Sequence, residues 1–546
     1  MLKNLNLKSL IAFPMIFILN SSPITFSAPR NTTVEFTSSN LPIIIIDTFG
    51  QTIRDQYRIE ANMKIIYNGK GKRNYLMDPP NNYDGRIAIE LRGSATLSYP
   101  KKGYRFETQD TSGNNLNVSL LDMPKENDWV LYGPYDDQSL IRNVLAYRLS
   151  NDIGRYASRT QFCELVLNDD YRGIYVLMEK IKRDKNRVNV SPMDSTAITG
   201  DAVTGGYIIK IDKESGENVG GWRSSRGISY QYHYPKADEI ISEQKTYIRN
   251  FMNQFETAMS QTNVADSTSG YPRYLEVASF VDHFILNEFC KNIDAYRISF
   301  YMFKDRDSKS GKLNAGPIWD FNLSFGKTWF AEDAYRVDEW EIDHNRYKPN
   351  DWPKVPFWWE RLGHNPEFAR QVELRWRELR KDILQQDSLY HRIDLLVDTL
   401  SEARVRNFER WPETAQKHSY EQEIQLLKQW INDRIQWIEA NLGKLTSASN
   451  PTDRNNIPEC FQLKQNYPNP FNSCTTIEFS LPEASFVTLN VYNLLGEKVA
   501  TLVSEQLGAG YYRRVLDAGK LASGVYLYRL QANGSAQSKK LILLDF

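Results

Sequence analysis

The sequence is poor in cysteine and histidine. Cys163, Cys290, Cys460 and Cys474 are the four cysteines of 546 residues, too few to supply the main framework of so long a chain. The six histidines are scattered, and no Cys/His cluster has zinc spacing, which argues against a zinc enzyme. An excess of either charge is also missing. Lys+Arg and Asp+Glu number 67 each, so no global field points to nucleic acid or acidic lipid as the main partner. Long apolar runs are absent too. The run Leu10 to Leu19 is about half of the ~20 residues that span a bilayer, and the mature chain is expected to have no transmembrane segment. No paired-carboxylate motif for glycoside hydrolysis stands out.

What is present is a globular composition, 41% apolar and 25% charged, in a chain long enough for two or three domains. Residues 1–28 read as a secretory signal: Lys3 and Lys8 give the basic start, the apolar run follows, and Thr25 and Ser27 are spaced as a signal peptidase accepts. Export permits disulfides, and closure of the short loop between Cys460 and Cys474 stays open. The many aromatics (31 Tyr, 25 Phe, 12 Trp) fit large cores better than a ligand cage. Trp352, Phe357, Trp358 and Trp359 suit a sugar platform no better than helix packing. Asp305-Arg306-Asp307 with Gly311 reads as a hairpin turn, since the later ligands of a calcium loop are missing.

Periodicity divides the chain. Ile43 to Asp47, Met63 to Tyr67, Ile87 to Leu91, Lys101 to Thr108, Cys163 to Asn168, Gly173 to Glu179 and Gly206 to Ile211 read as strands, interrupted by a helical pattern over Ser139 to Asp152. These strands are expected to form one sheet. From Ala237 the pattern turns helical: Thr246–Met259, Leu275–Cys290, Pro366–Leu384, His391–Phe408 and Tyr420–Asn441, with Gly443 as a C-cap. A strand is expected to end at Ile318-Trp319-Asp320. The fold class expected is α+β, a bilobal domain over 29–446, a linker over 447–458, and a small all-β sandwich over 459–546.

Asn466-Tyr467-Pro468-Asn469-Pro470-Phe471-Asn472, Val491-Tyr492-Asn493-Leu494-Leu495-Gly496, Leu521-Ala522-Ser523-Gly524-Val525-Tyr526 and Lys539-Lys540-Leu541 closely resemble the type A sorting module of type IX secretion. The physical reading stands beside the name. Gly496 supplies a positive-φ turn, Pro468 and Pro470 keep the entry segment extended, and alternating apolar residues build a sandwich. The resemblance implies export, recognition by the type IX machinery, and a secreted or surface-attached product. An adhesion sandwich of the fibronectin kind is the plainer alternative.

Residues from about Ile43 to Gly443 resemble the CotH family of atypical, kinase-like proteins. The matching pieces are Leu91-Arg92-Gly93-Ser94, Pro100-Lys101-Lys102-Gly103-Tyr104-Arg105, Ile141-Arg142-Asn143, Gly173-Ile174-Tyr175 through Glu179, Asn292-Ile293-Asp294 and Trp319-Asp320-Phe321-Asn322. The resemblance implies an ATP- and Mg²⁺-dependent enzyme acting on Ser/Thr hydroxyls of exported proteins. Phosphoryl transfer needs cations on the phosphates, a carboxylate at the acceptor hydroxyl and carboxylates on Mg²⁺. Asp294, just past a helix, is the candidate base. Asp320 is the candidate metal ligand, and Asn322 joins it where many members of the family have a second Asp. Arg92, Lys101, Lys102 and Arg142 are candidate phosphate contacts, and Glu179 ends the strand whose continuation would meet adenine. Ser299 stands where a kinase loop often has a metal-binding Asn, and no G-x-G-x-x-G loop is present. These departures leave a non-catalytic pseudokinase, or a surface binding or adhesion protein, as the alternative.

Overall fold

A computed structural model describes residues 34–213, 220–327, 335–414, 418–448, 460–466, 469–471, 474–519 and 521–544. The signal segment 1–28 and most of the linker lie outside them. The chain divides into two compact units, 1–449 and 450–546.

The first unit opens with a closed barrel of seven strands: β1 (Ile43–Asp47), β2 (Ile59–Ile66), β3 (Tyr83–Arg92), β4 (Gly103–Thr108), β5 (Asp128–Tyr132), β6 (Thr160–Leu167) and β7 (Asp170–Glu179), in the order β1-β2-β3-β4-β5-β7-β6. Neighbours are antiparallel except where β1 and β6 close the barrel in parallel, Ile43 opposite Glu164. The period-2 pattern of β2 explains its place: Ile59, Ala61, Met63 and Ile65 are buried among the interior side chains, with Phe106, Trp129 and Leu177. The run of four isoleucines in β1 is buried on both faces. Ile44 and Ile46 face that core, and Ile43 joins Val34, Phe36 and Tyr171 in another.

Helix α1 (Arg142–Asp152) interrupts the barrel sequence. After β7 the chain builds a second sheet from β8 (Tyr207–Ile211), β9 (Gly221–Arg223), β10 (Ser229–Tyr234), β11 (Phe300–Lys304) and β12 (Leu313–Ala315), ordered β9-β10-β8-β11-β12. Around it lie α2 (Ser242–Ala258), α3 (Val277–Cys290), α4 (Phe357–Gly363), α5 (Pro366–Leu379), α6 (Gln386–Leu400), α7 (Ala403–Arg410) and α8 (Tyr420–Asn441). One large core joins these helices, the second sheet and the Val130, Val176 and Met178 side chains of the barrel wall.

The single sheet expected of the first ~210 residues is therefore a barrel, and β8 leaves it to become the centre of the second sheet. Nearly every residue of β8 is buried, which a strand achieves only with neighbours on each side. The strand expected to reach Asp320 ends at Ala315, because Pro317 has no N–H to extend the ladder. His391–Phe408 is two helices, α6 and α7. Gly443 caps nothing: α8 runs into a 3₁₀ turn, Leu442–Ala448, whose Leu442 and Leu445 belong to the core. Trp358 and Trp359 are fully buried, so packing accounts for them. Asp305 to Gly311 lies in the β11–β12 hairpin connection.

The second unit is two facing antiparallel sheets. One holds β13 (Gln462–Leu463), β14 (Cys474–Leu481) and β17 (Gly510–Asp517); the other is β16 (Lys498–Leu507), β15 (Ser485–Tyr492), β18 (Gly524–Ala532) and β19 (Ser535–Leu543). Ile477, Phe479 and Leu481 share a core with Leu489, Val491 and Tyr528. Gly496 has φ +81, as the turn requires. Asn466 is buried and its N–H donates to Tyr528 Oη at 2.7 Å. Cys460 is an exposed free thiol, and the Cys474 side chain lies outside the described part of the structure.

Candidate active site

One cleft of about 610 Å³ in the first unit is lined by residues from the barrel, the second sheet and the segments that follow α3 and β12. Asp294, Ser299, Asp320 and Asn322 all line it, with Arg92 and Gly93 of the β3 turn. A Cβ at Gly93 would sit 2.0 Å from Thr96 Oγ1, and its φ is +128, so only glycine makes this turn.

Helix α1 holds the Asp320 segment. The Asp320 N–H donates to Tyr147 Oη at 3.1 Å, and the Phe321 N–H donates to Asn143 Oδ1 at 2.9 Å. Trp319 stacks on Tyr147 with centroids 6.1 Å apart, and the Arg92 guanidinium lies 4.9 Å from the Trp319 ring. Asp320 itself has φ +64, a conformation Asp tolerates better than most residues. Its side chain opens to the cleft but lies deep in protein mass. Burial raises its carboxyl, Arg92 pulls it back down, and Asp212 pushes it up. Asp294 begins the tight turn after α3, its carbonyl accepting from Ile298 N at 3.1 Å. Burial, then the charges of Asp320 and Asp212, push its carboxyl up to about 6 against the opposing pull of Arg297 and Lys213. Asp294 feels both Asp320 and Asp212, and Asp320 feels Asp212, so the three carboxylates share one neighbourhood of the cleft.

Asp212 was not read from the sequence. It directly follows β8, and Oδ1 accepts from Lys213 N at 2.9 Å and Ser299 N at 3.3 Å while Oδ2 meets Lys210 Nζ at 2.8 Å. The available signal was a carboxylate at the end of an apolar strand, on the side of the sheet where the cleft opens. Asp136 also lines the cleft and is pushed up to about 6 by burial and by Asp137.

The remaining candidates are placed differently. The Lys101 stem borders the cleft, but its ammonium donates to Asn407 Oδ1 of α7 at 2.7 Å. Burial, with Arg172 nearby, lowers its pKa well below the usual lysine value. Lys102 Nζ donates to the Leu97 carbonyl at 2.6 Å and does not line the cleft. Arg142 is buried away from it, bridging Asp137 and Glu423 at 2.7 Å each. Glu179 is also locked, accepting from Arg159 at 2.9 Å and Tyr156 at 3.1 Å. The residues just after it, Lys180 to Arg183, do line the cleft. There His233, its ring nitrogen against the Ile181 carbonyl at 2.9 Å, is driven down to about 4 by burial.

Among the described residues no three His, Cys, Asp or Glu side chains form a ready-made metal cage. Magnesium does not need one: it keeps waters and is held by one or two carboxylates plus substrate phosphates. An Asp320 carboxyl raised by burial and by Asp212, with Asn322 and Asp212 on the same cleft, is a donor set that such an ion fits.

The family profile described as CotH kinase protein matches residues 89–438. A second, described as secretion system C-terminal sorting domain, matches residues 465–544. No curated protein matches the chain. Among solved structures, the twitchin kinase region from C. elegans is similar at 10% identity, covering 93% of this chain and 99% of that one, with a TM-score of 0.13. A score that low carries no argument about fold.

Proposed function

Because the chain belongs to the CotH kinase protein family, we propose that its first unit is an ATP-dependent, kinase-like enzyme that phosphorylates Ser/Thr hydroxyls of exported or surface proteins. The observation that carries the reading is the convergence of Asp212, Asp294 and Asp320 on one cleft with Arg92. In this reading the barrel and the helix-rich half with its second sheet act as the two lobes of an atypical kinase. Nucleotide lies between them, and the Lys180–Arg183 segment borders the base.

Asp294 takes the acceptor proton, and a carboxyl near 6 suits a base working at neutral pH. Asp320, with Asn322 and Asp212, would hold Mg²⁺, which supplies charge neutralisation on the transferring phosphate. Arg92 supplies the fixed cation that the sequence reading assigned to Lys101 or Lys102. The Tyr147 and Asn143 hydrogen bonds fix the Asp320 backbone, so that the carboxylate need not be reorganised when charge develops.

The sorting module implies the type IX secretion machinery and supports secretion or attachment at the cell surface. Among the described residues no helix is long and apolar enough to cross a membrane. The test is purified protein with radiolabelled ATP and co-secreted proteins. Mg²⁺-dependent label on protein, lost in Asp320→Ala, is expected. Nucleotide binding without any transfer would assign the chain to the pseudokinase or surface-binding alternative.

A further inference from the structure

A second pocket, of about 220 Å³, shares none of its lining with the cleft. Its walls come from the end of α1, from α3, from Arg187 to Asn189, and from Asn314 to Ile318. The charged residues lining it are Arg155 and Arg187, with no carboxylate. Arg187 is 4% exposed, lies 5.1 Å from the Trp129 ring centroid and has its Nη2 buried without a hydrogen-bond partner. His283 on α3 is 6% exposed. Its ring packs 4.8 Å from Phe300 and 5.9 Å from Trp359 with no protein hydrogen bond to either nitrogen among the described residues. Burial keeps that imidazole neutral, so it offers one N–H and one lone pair.

The carboxylates that pair with these arginines and their neighbours lie outside the pocket lining. Buried Asp282 is shared by Arg155 at 2.7 Å and Arg375 at 2.8 Å. Buried Glu179 is shared by Arg159 at 2.9 Å and Arg187 at 3.6 Å. Glu276 also stands 3.8 Å from Arg155 and Glu378 2.9 Å from Arg375, and none of these four carboxylates belongs to the pocket lining. A small, donor-rich space whose lining carries two guanidiniums and no carboxylate selects a compact anion.

We propose that this pocket is a binding site for a small oxyanion of phosphate size, held by Arg155 and Arg187 with His283 as a neutral donor. Two routes, one of hydrogen bonds and one along the chain, tie it to the cleft. Arg187 Nη1 donates to the carbonyls of Asp128 at 3.0 Å and Lys180 at 2.9 Å, both residues of the cleft wall, and Ile318 is two residues before Asp320. A regulatory role would rest on the kinase reading; anion binding does not.

The experiment is a titration of the full-length protein with inorganic phosphate, without nucleotide or metal, read by calorimetry and by the ¹⁵N imidazole resonances. Saturable binding is expected, with the His283 resonances moving and those of His233, in the cleft, unmoved. Asn189→Asp adds a carboxylate at an exposed lining position and leaves the Arg155–Asp282 pair intact. It and Arg155→Gln should each weaken phosphate by about tenfold or more. The proposal is overturned by absence of saturable binding, by movement of His233 in place of His283, or by Asn189→Asp binding phosphate as tightly as the unaltered protein.

Discussion

The backbone N–H of Ser299 donates to Asp212 Oδ1 at 3.3 Å. A carboxylate from the second sheet therefore stands beside the one position where the sequence puts a hydroxyl in place of the expected amide ligand. Ser299 has φ +53, a backbone that Asn adopts readily. On the proposed kinase reading, the ligand that Ser299 does not supply comes from 87 residues earlier in the chain.

Asp212→Ala is accordingly expected to weaken metal-dependent nucleotide binding by about 10- to 100-fold, the range for loss of a group supporting a metal site. Mn²⁺ titration followed by electron paramagnetic resonance measures this directly. Ser299→Asn, which supplies the amide a kinase loop often has there, should recover part of the loss in the Asp212→Ala background. If neither change alters Mn²⁺ affinity, Asp212 serves only to order the Ser299 turn.

The Asp320 segment gives a prediction about positioning. Tyr147→Phe keeps the ring that stacks on Trp319 but removes the oxygen that accepts the Asp320 N–H. Turnover should fall on the order of tenfold with nucleotide affinity little changed, since one hydrogen bond of about 1 kcal/mol is removed from the backbone behind the ligand. Equal losses in kcat and in binding would mean that the helix simply holds the fold together.

Lys101 and Arg92 separate on a different measurement. Lys101→Met removes an ammonium already committed to Asn407, whose Oδ1 also accepts from Ile174 N at 3.1 Å. Its effect should appear in the melting temperature, with nucleotide affinity within about twofold. Arg92→Ala should cost nucleotide about tenfold or more, because the guanidinium borders the cleft and offsets the Asp320 charge. A large affinity loss in Lys101→Met would return the phosphate role to the lysine.

The motif residues were legible in the sequence because several of them meet in space, yet their separate roles were not. Gly173 is required because a Cβ there would come 2.6 Å from Asn407 Oδ1, a contact from α7 that no local pattern reveals. Arg142 looked like a phosphate contact, since an arginine at a helix start is chemically ambiguous; its partner Glu423 lies 281 residues away. Asp294 and Asp320, which line one cleft, could be singled out because position after a helix and before Phe321 is local information. Asp212 was missed because its neighbour Ser299 is set by the β8–β11 pairing. Sandwich strands were readable from alternation alone, whereas barrel closure depends on the parallel pairing of β1 with β6, and parallel partners are invisible to periodicity.

The end of the first unit can be tested by truncation. Leu442 and Leu445 are core residues and the Leu445 carbonyl meets His364 Nδ1 at 2.9 Å. A chain ending after Ala448 should fold and keep nucleotide binding. One ending after Asn441 should lose about 2–5 kcal/mol, the range for emptying a large buried aliphatic site. Denaturant unfolding of the two chains compares them, and equal midpoints would show that the 3₁₀ turn contributes nothing.

Asp294 should leave opposite marks on activity and stability. Its folded carboxyl titrates at about 6, against about 3.9 in an unfolded chain. The folded state therefore binds this proton more tightly, and the stability it contributes is complete below about pH 4 and lost as pH rises through about 6. As the base it works only when deprotonated, so transfer should rise across the same interval. Asp294→Asn should abolish that limb and slow transfer on the order of 10²-fold or more. It should also raise stability at pH 7.5, on the order of 1–3 kcal/mol, with no gain at pH 4. Asp136, which is also held near 6, is present in both proteins and cancels from the comparison. Thermal unfolding at the two pH values measures the difference. A substitution that stabilises equally at both would mean that the Asp294 carboxyl is not held above its ordinary value, and the base assignment would lose its electrostatic support.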